Sequence, residues 1–147
     1  NYVLYLDNLS QFIVKDAFED VGFVTDILVV ERSAGGRAEK LLLRGSENSV
    51  MICGEYQIRY VLLNEDNVIN KQDGTTTTMS TLLPSAFVDI EYSQQDGKIT
   101  EYQVTGGGYG HGNGMSQNGA GNMAKDGYSY TDILMTFYEN CNVEKIY

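Results

Sequence analysis

The sequence predicts an α+β fold, in which antiparallel strands and hairpins are followed by a Gly-rich loop leading into two C-terminal helices. Three observations predict it. Alternating or β-branched apolar runs recur around glycine-bearing turns in the first two thirds of the chain. Toward the C-terminus the apolar spacing changes to that of helices. Between the two lies "TGGGYGHGNGMSQNGAGNMAKDG", Thr105 to Gly127, which holds nine of the sixteen glycines and the only histidine, His111.

The elements are read in order. "NYVLYL" opens the chain as an apolar run. "SQFIVKDAFEDVG" is a helix: Ser10 can cap it, Ile13, Val14, Ala17, Phe18 and Val21 share a face, and Gly22 can end it. "TDILVVERSAGGRAEKLLLRG" is a strand pair around a turn whose glycine pair supplies φ > 0, and "SVMIC" is a third strand. "GEYQIRYVLL" is ambiguous: Ile58, Val61 and Leu62 suit a short helix, the preferred reading, while the mixed apolar and polar order also allows a strand. Arg59 within it is either a surface arginine with a buried stem or a semi-buried one fixing loop carbonyls or a carboxylate. "NEDNVINKQDGTTTTMS" is polar without a clear period and is read as a long loop. "LLPSAFVDIEYS" and "ITEYQVT" form a hairpin across Asp96-Gly97.

The glycine segment follows. "MSQNGAGNMAKDG" is a helix that Ser116 could cap. Met115, Ala120, Met123 and Ala124 could pack on one side, and Gly119 and Gly121 imply something close to the backbone. "YSYTDILMTFYENC" is a helix with a Ser129–Asp132 capping box.

The 147 residues fit one domain, read as a single unit 1–147. A net charge of −10 argues against nucleic acid and against anionic membrane surfaces. The two cysteines, Cys53 and Cys141, read as free thiols, one of them buried. One histidine and no CxxC or HExxH pattern leave no common metal set, so neither metal nor cofactor is expected. No signal peptide, membrane span or lipidation motif is visible, and the start at Asn1 without methionine suggests a piece of something longer.

A phosphate loop is disfavoured, because Met115 stands where a P-loop lysine would be and no βαβ unit follows. Glycines 106, 108, 110, 112 and 114 alternate with larger residues. In an extended segment they leave a bare face opposite Tyr109, His111 and Asn113. A stacking ring, an imidazole and an amide suit a polar, ring-shaped ligand such as a sugar. Ser116 and Gln117 either cap and brace the helix or face the same cleft. No nucleophile–base arrangement and no paired carboxylates can be located.

The segment from Gly108 to Tyr138 resembles the C-terminal signature of the stage II sporulation protein D (SpoIID) family, which also covers the LytB amidase enhancers. The likeness rests on Gly108, Gly110, His111, Gly112, Gly114, Met115, Ser116, Gln117, Gly119, Ala120, Met123, Ala124 and Gly127, continued by Ile133 and Leu134. Upstream, "DILVVERSAGGRAEKLLLRG", "GEYQIRYVLL" and "TLLPSAFVDIE" resemble family segments in register. Asn118, where members often carry an aromatic, and "ENCN" depart from the pattern.

The resemblance implies peptidoglycan glycan strands as ligand, cut between N-acetylmuramic acid and N-acetylglucosamine by a lytic transglycosylase during engulfment, beside a cell-wall amidase and outside the cytoplasm. It implies substrate-binding roles for Tyr109, His111, Ser116 and Gln117, and a structural loop at Gly108, Gly110, Gly112 and Gly114. The family's catalytic glutamate lies in an N-terminal half that this sequence lacks, so no glutamate here is given that role. The chain is then expected to be the C-terminal part of such a domain, unable to turn over glycan alone. The alternatives are a non-catalytic amidase enhancer or wall-binding module, and a glycine segment that is only a tight connection.

Overall fold

The computed structural model describes residues 2–6, 21–63, 67–79, 81–96 and 98–146, with residues 2–6 described by their backbone alone. The helix expected from Ser10 lies outside the described residues as far as Asp20; Val21 is buried as expected, and Gly22 has φ 69°. The chain divides into two units, one ending at His111 and one running from Gly112 to Tyr147.

The first unit holds two antiparallel sheets. β1 (Tyr2–Leu6), β5 (Val68–Lys71), β6 (Thr76–Thr78), β7 (Phe87–Gln95) and β8 (Lys98–Gly107) form one, in the order β6-β5-β1-β8-β7. β2 (Val24–Arg32), β3 (Ala38–Gly45) and β4 (Ser49–Cys53) form the other, with α1 (Glu55–Val61) directly after β4. The apolar residues read from the sequence supply the core. Ile27, Leu41, Leu43 and Ile52 come from the three-stranded sheet, Ile58 and Leu62 from the α1 region, and Val88, Tyr102 and Val104 from the β7–β8 hairpin. Val24 and Ile27 are both buried although three residues apart, because a register shift between Val24 and Asp26 breaks the alternation.

Two readings are corrected, and the opening run finds its place. "NEDNVINKQDGTTTTMS" contains a hairpin: β5 pairs with β6 across Asp73-Gly74, with Gly74 at φ 81° and Asp73 accepting from the Thr75 amide and hydroxyl. The β-branched residues and the single inward Ile69 suffice on a half-exposed ribbon, where polar threonines hide the periodicity. Within the opening apolar run, Tyr2–Leu6 form a central strand between β5 and β8. Cys53 faces outward on β4 and Cys141 is half-buried, so both thiols are free and neither is buried.

Arg59 takes the semi-buried role. Its Nε donates to the Leu83 carbonyl at 2.8 Å and its Nη1 to Glu55 at 3.0 Å. Tyr102 sits fully inside, and burial, with smaller contributions from Asp26 and Tyr92, pushes its phenol up to about 12. The folded chain therefore holds this proton more tightly than the unfolded chain, where a tyrosine titrates near 10. The stabilisation is complete below pH ~10 and is lost as pH rises to about 12, a fall of about 2 kcal/mol. Urea denaturation at pH 9 and pH 12 checks this: Tyr102→Phe should show a smaller alkaline fall than the natural chain, and an equal fall would contradict it.

The second unit contains α2 (Gln117–Lys125) and α3 (Tyr130–Phe137). Ser129 caps α3 in a full capping box with Asp132. Asp126 and Gly127, at φ 88°, end α2 as expected. Of the two helical glycines, Gly119 has a close neighbour: a Cβ there would lie 3.1 Å from the Phe137 ring. Gly121 faces open space. Ala120 and Met123 are half-buried, whereas Met115 and Ala124 stay exposed.

Candidate functional site

The segment Leu83–Ala86 ties four parts of the first unit together. The Leu83 amide donates to the Arg59 carbonyl at 3.2 Å, and the Ala38 amide to the Ala86 carbonyl at 2.9 Å. The Pro84 carbonyl accepts from the Gly110 amide at 2.8 Å. The buried Ser85 hydroxyl donates to the Gly107 carbonyl and accepts from the Phe87 amide. The end of β8 and the loop after it are thus pinned to a strap that α1 and β3 hold in place.

Arg37 is the second anchor. It follows the Ser33–Gly36 turn, where Gly36 adopts φ 90°, and its guanidinium is buried. Nη2 pairs with Glu39 at 2.5 Å, and Nη1 donates to the His111 carbonyl at 2.8 Å. A planar guanidinium can make both bonds from fixed directions, which a lysine cannot.

The expected extended glycine ribbon is corrected here. Gly108, Gly110, Gly112 and Gly114 have φ of 80°, 118°, 71° and 73°, in the left-handed region that side chains rarely adopt. Alternate left-handed residues turn the backbone repeatedly, so Tyr109, His111 and Asn113 do not share the face of a strand. The glycines are required by conformation more than by a bare surface. Adding a Cβ at Gly108 or Gly110 meets nothing within 4 Å, whereas at Gly114 it would come 3.1 Å from the Tyr138 hydroxyl.

Tyr109 and His111 end the first unit. Tyr109 is 87% exposed. It borders a groove of about 400 Å³ lined also by Ile69, Lys71, Thr77, Met79 and Pro84. His111 is exposed, with its backbone held by Arg37. Ser116 and Gln117 begin the second unit. The Ser116 hydroxyl accepts from the Gly119 amide at 3.1 Å as the α2 cap, and Gln117 is exposed in the first turn. Ser116 therefore performs the capping role that the sequence left open, and its hydroxyl proton remains a donor.

Sequence reasoning missed Arg37, Pro84 and Ser85 as loop anchors. Their partners lie 74, 26 and 22 positions away, beyond any local pattern. The only signal was the placing of the Ser-Gly-Arg turn and of "TLLPSAFVDIE" within the resemblance. Among the described residues no cluster of three His, Cys, Asp or Glu side chains could hold a metal ion. No described helix is long and apolar enough to cross a membrane.

Against known proteins, the family described as "Domain of unknown function (DUF8618)" matches residues 5–114. A stage II sporulation protein D from Bacillus amyloliquefaciens is 42% identical over 57 residues, which is 39% of this chain and 16% of that protein. An amidase enhancer from Bacillus subtilis (strain 168) is 36% identical over 63 residues, 43% of this chain and 9% of that protein. The stage II sporulation protein D of the same strain is 40% identical over 57 residues, again 16% of its length. The matches span less than a fifth of these relatives. No solved structure matches the chain.

Proposed function

This chain belongs to the DUF8618 family and is related to stage II sporulation protein D, and from that premise we propose that it is the glycan-binding part of a peptidoglycan-remodelling protein of sporulation. The observation that carries this reading is Tyr109: a ring 87% exposed on a loop whose backbone is held before it by Ser85 at Gly107 and after it by Pro84 at Gly110 and Arg37 at His111. An exposed ring on an anchored backbone can stack on the C–H face of a sugar with the backbone part of the ordering cost already met. His111 supplies an imidazole for hydrogen bonds to the same chain of sugars; Ser116 and Gln117, in the second unit, are proposed separately as glycan contacts through a hydroxyl and an amide.

In the longer protein the reaction is the lytic cleavage of the N-acetylmuramic acid–N-acetylglucosamine bond. That reaction needs one carboxylic acid to protonate the glycosidic oxygen and then to help the sugar's own 6-hydroxyl attack. No carboxylate of this chain is assigned that role, and the acid is expected from another part of the protein. The setting is the cell wall, outside the cytoplasm.

The chain is expected to bind glycan strands stripped of stem peptides and to release no anhydro-sugar ends from them. Co-sedimentation measures the first and product chromatography the second. Tyr109→Ala should weaken binding about tenfold, the loss of one stacking contact. Unchanged binding by this variant would contradict the reading. The amidase-enhancer relative favours a second reading, in which the chain binds a wall amidase; pull-down with the amidase in the absence of glycan separates the two.

A further inference from the structure

The β5–β6 hairpin supplies side chains to the Tyr109 groove that no part of the reading above employs. Ile69, Met79 and Pro84 give it an apolar lining, Thr77, which pairs with Ile69, gives it a hydroxyl, and Lys71 gives it its charge. Ile69 and Lys71 are two apart on β5, so they lie on the same side of the strand. A floor of apolar atoms, one ring and one hydroxyl is chemistry that can receive a pyranose.

The ammonium is the charged member, and Lys71 is set apart from Lys98 and Lys125, which likewise make no ion pair among the described residues, by lining the groove. The chain carries a net charge of −10, and Arg32, Arg37, Lys40, Arg44 and Arg59 are each committed to a carboxylate. Lys71 makes no ion pair among the described residues. The acid of its own turn, Asp73, accepts from the Thr75 amide at 2.9 Å and hydroxyl at 2.6 Å, and the Lys71 charge adds only a lesser pull on that carboxylate. A single ammonium without a surrounding set of amides or arginines suits one carboxylate better than a phosphate, which draws several donors.

We propose that the β5–β6 hairpin and Tyr109 form a saccharide subsite in which Lys71 pairs with a carboxylate borne by the sugar. The proposal rests on the glycan reading of this same site. It makes Lys71 a specificity residue: a muramic acid whose lactyl carboxylate is free would be preferred over an uncharged amino sugar. A carboxylate consumed by an amide bond would lose the advantage.

The test compares two probes of equal length, a stem-peptide-free N-acetylglucosamine–N-acetylmuramic acid tetrasaccharide and neutral chitotetraose, by titration calorimetry at low salt. The natural chain should bind the carboxylated probe about fivefold more tightly, the scale of one partly exposed ion pair. K71Q should lose that preference, keeping its affinity for chitotetraose, and K71R should retain it. A preference that survives in K71Q, or equal binding of both probes by the natural chain, overturns the Lys71 subsite and leaves glycan binding standing. Binding of neither probe overturns both.

Discussion

Arg37→Ala is expected to destabilise the first unit by about 3 kcal/mol and to release the loop that carries Tyr109 and His111. Removing one member of a buried ion pair leaves the other charge without its partner, and such losses run to ~3–5 kcal/mol when burial is complete. Glu39 retains some solvent contact, which places the effect at the low end. The same change strips the His111 carbonyl of its donor at 2.8 Å. Arg37→Lys keeps the charge but not the fork, so it should recover part of the stability and little of the loop order. Urea denaturation reads the first effect, and amide hydrogen exchange at Gly110 and His111 reads the second. A purely structural arginine would lower stability in both variants without selectively loosening the loop.

Gly45→Ala is expected to have the other large effect, a loss of at least about 3 kcal/mol. The residue ends β3, and its amide donates to the Asn48 carbonyl at 2.8 Å in the turn to β4. A Cβ there would lie 1.8 Å from the Val21 carbonyl oxygen and 2.7 Å from its carbon. Both are backbone atoms of a residue that is itself buried, so the clash can be relieved only by moving the chain. Gly36→Ala is the informative contrast. Gly36 has φ 90° but nothing within 4 Å of an added Cβ, so only the backbone preference is lost, about 1 kcal/mol. Comparable denaturation midpoints for the two variants would contradict the close approach at Gly45.

What the sequence made legible was local. The β2–β3–β4 meander, the β7–β8 hairpin and the caps of α2 and α3 each follow from residues within a few positions of one another. The Ser129–Asp132 box is such a case. What it hid was set by distance or by polarity. β1 is central only because β8, about a hundred positions later, pairs with it from Tyr2↔Gly106 to Leu6↔Tyr102. The β5–β6 hairpin buries one isoleucine and otherwise exposes Val68, Asn70, Lys71 and threonines, which leaves no apolar alternation to read.

The candidate site divides the same way. Tyr109 and His111 stood out because glycines surround them, and the structure puts both on an anchored loop. The glycine spacing itself was misleading. A period of two in sequence suggested an extended ribbon, whereas left-handed φ at Gly108, Gly110, Gly112 and Gly114 gives a winding chain. Composition alone cannot distinguish glycine used for its missing side chain from glycine used for its backbone. Arg37 and Ser85 were invisible as anchors because each acts on a carbonyl from a distant element.

His111 is the only histidine, so its ring protons can be followed in the NMR spectrum of the whole chain. Titration with the stem-peptide-free tetrasaccharide is the most direct measurement of whether this loop is a glycan-binding wall. A saturable shift of the His111 ring signals, in step with the Tyr109 ring, is the predicted result. Binding that leaves both sets of signals unmoved, or no binding at all, would contradict it.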